Sequence, residues 1–380
     1  MPVPLPTDDE VDLNPPTAAE SIANAAGVLS ATRTTDGNTE FQRLLIEATF
    51  EAMTGHRVDT SDLPLVIAED AAETLRFRAA TFRMRMVHMM VLSALVLRPL
   101  PPEVADRVAA FSHELGIDDD LLRTVQQFAD SDHALAAVDF ERNGYTADWS
   151  DEQTEALHTS APVRGWDANE DDPALASAWA ALADLPEGTL GRMVHDFYLA
   201  RGFAFPGSPG SAPPLLAQHD WVHVLADYGT KVEAELEVFA FIARANDDPR
   251  GFSLLAMVVS LFETGHLAEG AGLFEAFPGQ LSLDGMTVRI GDAMRRGALT
   301  HGEGGAPDVD FMAVDWFAYA DMPLDDVRAR FGLVPKSEAA VGAGSVGPWE
   351  AGGISEAQVA MGHAHAEQLG VAYDGFGATL

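Results

Sequence analysis

QHDWVHVLADYGTKVEAELEVFAFIARA, residues 218–245, is written as two helices with a break between them. His219 and His223 stand four residues apart, one turn along a single helical face, where both imidazoles can meet one ion. Asp220 is rotated by about 100° from His219, and a short carboxylate there still reaches a neighbouring ligand position. Glu235 follows His223 by twelve residues, which in an unbroken helix is about 18 Å of rise and too far for a shared ion. The residues between them change that. Gly229 suits the left-handed conformation at a helix end, and Thr230-Lys231-Val232-Glu233 reads as a fresh capping box. The chain is therefore expected to turn at Gly229 and descend antiparallel. His223 and Glu235 lie six residues to either side of Gly229, so they arrive at the same height. A divalent metal site is predicted from His219, Asp220, His223 and Glu235. Two imidazoles and two carboxylates suit zinc, with iron or manganese as alternatives. A metal in that company polarises an oxygen or activates water; spacing alone assigns no catalytic base.

Outward from this stretch the chain reads as mainly α. Residues 1–16, rich in Pro and Asp, are expected to be a disordered tail. Residues 17–143 form a separate N-terminal helical domain, with apolar residues at three- and four-residue spacings such as Phe41, Leu44, Leu45, Ala48 and Phe50, then Leu121, Leu122, Val125 and Phe128. Pro101-Pro102 divides two of its helices. A Met-rich helix over 84–97, which carries His88, reads as core, with a pliable surface for a lipid chain or partner helix as the alternative. The acid-rich stretch 144–173 reads as a linker, and 174–335 as a second helical domain holding the metal site. That domain is interrupted by GFAFPGSPGSAPP, residues 202–214, whose Gly, Pro and Ser mark a loop. Residues 336–380 read as a linker and a closing helix opened by the capping box Ser355-Glu356-Ala357-Gln358. A short piece such as Met286–Ile290 could pair as a strand.

Charge and composition exclude several function classes. The 59 acidic residues against 23 basic give a formal charge of -36, and no basic stripe exists to neutralise a phosphate backbone, so nucleic acid is not an expected partner. The same charge disfavours attraction to anionic lipid. The chain has no cysteine, which removes disulfides, thiolate zinc sites and thiolate catalysis. No apolar run approaches the roughly 20 residues of a spanning helix, and residues 1–16 lack the pattern of a signal peptide; a cytoplasmic protein is expected. There is no phosphate-binding Gly-rich loop and no nucleophile elbow. Weaker candidates are read structurally. His363, His365 and Glu367 form a solvated face, His301 and Glu303 an exposed loop, and Arg295 and Arg296 surface cations. Glu263, mid-helix in an apolar segment, needs a partner if buried.

HDWVHVLADYGTKVEAE, with its H-D-x-x-H, eleven residues and E, resembles the metal motif of the coenzyme Q (ubiquinone) biosynthesis protein 4 family. LPEGTLGRMVHDFYLARGF (185–203) resembles that family's L-P-x-G-T-x-G segment, and VDWFAYADMPLDDVRARFGL (314–333) its closing D-W-E and P-L-x-x-V-R segment. Phe317 stands where the family usually has an acidic residue. The resemblance spans about residues 185–333. It implies a helical fold with zinc held by His219, Asp220, His223 and Glu235, a prenylated aromatic lipid as ligand, and other quinone-biosynthesis enzymes as partners. It also implies peripheral contact with the inner membrane face and a possible homodimer. The implied activity is C1 decarboxylation-hydroxylation of a prenylated hydroxybenzoate-type ring. A non-catalytic prenyl-lipid scaffold and a zinc-dependent hydrolase are the alternatives. Residues 17–143 lie outside this pattern and faintly resemble the tellurite-resistance-like helical fold through VLRPLPPEVADRVAAFSHELGID (96–118).

Overall fold

Apolar residues recurring every three or four positions fold into helices throughout the described residues. The computed structural model describes residues 16–54, 56–97, 100–118, 122, 125–126, 129, 149–159, 171–246, 251–259, 283–306 and 308–373. Among them no strand forms; Thr34–Gly37 and Thr189–Pro323 are isolated bridges. The N-terminal helices are α1 (Ala18–Ala31), α2 (Glu40–Thr54), α3 (Ala68–Leu75), α4 (Ala80–Leu95) and α5 (Pro102–Glu114). α1 opens on a reciprocal Thr17–Glu20 capping box. α5 starts with Pro102 in its first turn, the role expected of Pro101-Pro102. α4 is a core helix: Met86, His88, Met89 and Met90 are all buried.

The remaining helices are α6 (Asp151–Glu155), α7 (Pro173–Ala180), α8 (Leu190–Arg201), α9 (Pro214–Ala226), α10 (Val232–Ala245), α11 (Gly251–Val258), α12 (Met286–Leu299), α13 (Leu324–Arg330), α14 (Glu338–Gly342) and α15 (Glu356–Leu369). α10 is the centre of the packing. Nearly all of its residues are buried, as befits a helix apolar on most faces. Its main neighbour is α12, and Gly297 makes their approach possible, since a Cβ there would collide with the Phe241 carbonyl oxygen. The strand considered for Met286–Ile290 is thus the first turn of α12. Ile290, Ala293, Met294 and Gly297 continue at helical spacing against α10, and that longer period prevails over the short β-like run.

The N-terminal helices share this core. α2 packs on α12 and α4 on α11, and one set of buried apolar side chains runs through both blocks. The separateness expected of residues 17–143 is not seen in the packing, because the apolar faces of α2 and α4 are covered by the second block. The closing helix starts as predicted, with Ser355 and Gln358 capping reciprocally. No helix among the described residues is long and apolar enough to cross a membrane.

α10 also buries two carboxylates on different faces. Glu237 is fully buried and accepts a hydrogen bond from Arg289 of α12 at 2.5 Å. Arg296, expected at the surface, is buried too. Its guanidinium sits 5.0 Å from the Tyr228 ring centroid and donates to the Val334 carbonyl, whereas Arg295 keeps to the surface beside Asp292. Removing one member of a buried ion pair leaves the other charge uncompensated. Glu237→Gln is therefore expected to lose about 3 to 5 kcal/mol of stability in denaturant unfolding while keeping the metal content of the parent chain.

Candidate metal centre

The reversal between α9 and α10 brings the predicted ligands together, although not by the predicted means. α9 ends at Ala226, and Asp227, not Gly229, takes the left-handed position with φ 65° and ψ 49°. Aspartate tolerates that region better than most residues. Gly229 serves close approach instead: a Cβ there would lie 2.7 Å from the Gly353 carbonyl oxygen. α10 then starts after Lys231 with no side-chain cap. Thr230, expected to cap it, is buried and engaged elsewhere. Its hydroxyl donates to Gln358 of α15 at 2.6 Å and accepts from Arg201 Nε at 2.9 Å. The closing helix and α8 therefore clamp the turn.

His219, His223 and Glu235 are buried and offer ligand atoms that all lie within 4.8 Å of one another. Each imidazole is oriented by its other nitrogen. His219 Nδ1 hydrogen-bonds the Leu216 carbonyl one turn back. His223 Nδ1 hydrogen-bonds the Tyr228 carbonyl at 3.3 Å, so the peptide that ends α9 also aims its last histidine. With Nδ1 of each ring bonded to a backbone carbonyl, the two Nε2 atoms are the ones left to meet an ion once any proton there is displaced. They face Glu235 Oε2, at 3.4 Å from His219 and 3.3 Å from His223. Phe239 lies against the His219 ring and Phe197 stacks on His223, at centroid distances of 4.9 and 5.7 Å. Two imidazole nitrogens with backbone-anchored partners, one carboxylate oxygen and dry aromatic walls are the donor set and surroundings a divalent ion needs.

Asp220 stands at the edge of this set. Its Oδ1 is 3.6 Å from His219 Nε2, and its Oδ2 accepts a 2.5 Å hydrogen bond from Tyr198 of α8. It is not among the three that converge within the common distance. Tyr198 was not legible as a site residue, because its position on α8 shows only that it is aromatic. The other sequence candidates remain outside the site. His363 is exposed, Glu303 pairs with Arg330 at the surface, and His301 is half-buried against Gly332. Phe317 is an aromatic packing residue, 5.5 Å from Trp221. Residues 1–15 and Glu263 lie outside the described residues.

The electrostatics follow from burial and proximity. Burial works against a charge on His219, yet Asp220 and Glu235 raise it to about 9. Burial also opposes the charge on Glu235, and the two imidazoles overcome it and hold the carboxyl well below its usual range. Its place in the first turn of α10 favours the anion as well. Asp220 is raised, chiefly by burial. Tyr198 is pushed well above the ordinary phenol value by burial and by the neighbouring Asp220. Arg201, fully buried on the Phe197 ring, is brought down to about 9 by burial, against the support of Asp220 and Glu235.

A cavity of about 130 Å³ adjoins the centre. His219, Asp220, Tyr198 and Ser211 are its polar lining residues, and Phe203, Leu216 and Met361 are among its apolar ones. Met361 of α15 is also 43% exposed, so the cavity and the surface meet at that side chain.

No family model matches the chain, and no curated protein does. One solved structure, a Nostoc punctiforme protein named for ubiquinone biosynthesis, is similar over 57% of this chain and 97% of its own, at 24% identity and a TM-score of 0.31. A TM-score of that size does not establish a common fold.

Two outcomes test the centre. Glu235→Ala is expected to abolish stoichiometric metal, whereas Asp220→Asn weakens affinity roughly 10- to 100-fold, as for an outer partner; competition with a chelating dye separates the two. Because His219 holds its proton up to about pH 9, an incoming ion must displace it. Apparent metal affinity should therefore rise with pH towards about 9, with proton release measurable by calorimetry in buffers of different ionisation enthalpy.

Proposed function

We propose that this chain is a metal-dependent enzyme of ubiquinone or related prenyl-quinone biosynthesis. It would replace the ring carboxyl of a prenylated hydroxybenzoate-type substrate by oxygen. The observation that carries this reading is the shared wall: His219, a residue of the metal cluster, also lines a cavity large enough for one ring. An engineered apolar cavity of about 150 Å³ accommodates benzene, and the 130 Å³ here is of that order. The three sequence segments within 185–333 support the choice of substrate class.

The residues divide the work as follows. His219, His223 and Glu235 would hold the ion, which when bound supplies Lewis-acid stabilisation of a carboxylate or phenolate oxygen. Arg201 offsets the charge of Asp220 and Glu235 from behind, leaving the loaded site with residual positive charge for an acidic ring. The Tyr198–Asp220 pair holds a proton at the Tyr198 hydroxyl, beside the cavity. Phe197 and Phe239 exclude water from the two imidazoles. The ion would be zinc, with iron or manganese as alternatives. With zinc, which is redox-inactive, molecular oxygen is the oxidant. One oxygen molecule and a 4-hydroxybenzoate ring give carbon dioxide, water and the 1,4-quinone, with one oxygen atom kept on the ring and the other leaving as water. No external reductant is needed.

The cavity holds a ring and not a prenyl tail, so the tail would leave past Met361. Leu369 and Val371, 55% and 57% exposed, add two apolar side chains to the surface at the end of the same helix. That surface would serve peripheral membrane contact and exchange of substrate with neighbouring enzymes of the pathway.

The test is turnover of a short-chain 3-prenyl-4-hydroxybenzoate in air by the zinc-loaded chain, following carbon dioxide and quinone. Metal-dependent release of both, lost in His219→Ala, is expected. A fully loaded protein that releases neither, or that instead cleaves simple esters, would contradict the proposal.

A further inference from the structure

Ser211 lies in the Gly- and Pro-rich loop leading into α9, and it too lines the cavity beside His219 and Asp220. It is 2% exposed, yet its hydroxyl has no hydrogen-bond partner. Among the described residues, other buried polar side-chain atoms also lack partners, but none of them belongs to a residue lining this cavity. A buried hydroxyl without a partner costs free energy that a ligand can recover by supplying one. The rest of the loop wall, Gly210 and Ala212 on either side and Phe203 nearby, offers no polar side chain.

His219 lies in the second turn of α9, whereas Ser211 precedes the helix. His219 is five residues beyond Pro214, about 7 Å of helical rise, and Ser211 precedes that first turn. A ring that turns a carboxylate towards His219 can offer a second oxygen to Ser211, since both residues line the one cavity. We infer that Ser211 is a specificity-determining residue of this cavity. Its hydroxyl hydrogen-bonds a ring-borne oxygen remote from the carboxylate, so that the site selects hydroxylated aromatic acids over unsubstituted ones. This rests on the aromatic-acid reading of the cavity given above.

The experiment is calorimetric titration of the zinc-loaded full chain with 4-hydroxybenzoate and with benzoate, for the parent and for Ser211→Ala. Zinc content and melting temperature of the variant serve as the fold control. The parent is expected to prefer 4-hydroxybenzoate by roughly three- to tenfold, the range of one hydrogen bond. Ser211→Ala should bring the two acids to equal affinity and leave benzoate binding unchanged. Preference retained in Ser211→Ala, or absent in the parent although both acids bind, overturns the assignment of Ser211 alone. If neither acid binds the zinc-loaded parent, the aromatic-acid reading fails and the assignment fails with it.

Discussion

A carboxylate held between two imidazoles in a dry interior is the constraint around which this fold is organised. Isolating Glu235 from water is costly unless positive charge and hydrogen-bond donors surround it. The chain meets that need locally, by reversing within five residues after α9 so that α10 returns alongside His219 and His223. It meets it again at longer range. Arg201 lies fully buried behind the turn and bonds to Thr230 and to the Pro348 and Gly353 carbonyls. Gln358 fixes the same threonine from α15. The closing segment thereby becomes part of the centre: it clamps the turn and places Met361 in the cavity wall.

The packing of α10 explains how this arrangement is kept rigid. One face presents Glu235 to the imidazoles, another presents Glu237 to Arg289, and the intervening positions bury apolar side chains against α12. The helix is fixed by two charged contacts on different sides, each of which would be unfavourable if its partner moved away. Rotation of α10 would therefore disturb both at once. Rigidity of this kind is what a metal centre requires, because ligand atoms must be held in place before the ion arrives.

The ligand pair on α9 and the reversal to Glu235 were legible because both rest on local rules. Spacing of four places His219 and His223 on one face, and a cluster of turn-forming residues must break the helix before Glu235. The agents of the break were not legible. Asp227 rather than Gly229 ends α9, because Gly229 is taken up by contact with Gly353, more than a hundred residues further along the chain. Thr230 gives up capping for the same reason, its partner being Gln358. Tyr198, Arg201 and Ser211 carry no local signal at all. An arginine in the last turn of a helix reads as a surface cation until tertiary structure buries it. The β-like run at Met286 failed as a guide because the helical period continues past it. The sharing of one core by α2, α4 and the second block was hidden, since periodicity shows that a helix has an apolar face and not what covers it.

The central claim is that His219, His223 and Glu235 bind one ion together. It is tested most directly by X-ray absorption at the metal edge of the zinc-reconstituted chain. The account predicts a first shell of light atoms at about 2.0–2.1 Å, with the outer scattering of two imidazole rings, and loss of one ring's contribution in His223→Ala. A first shell without imidazole scattering, or a spectrum unchanged in that variant, would contradict it.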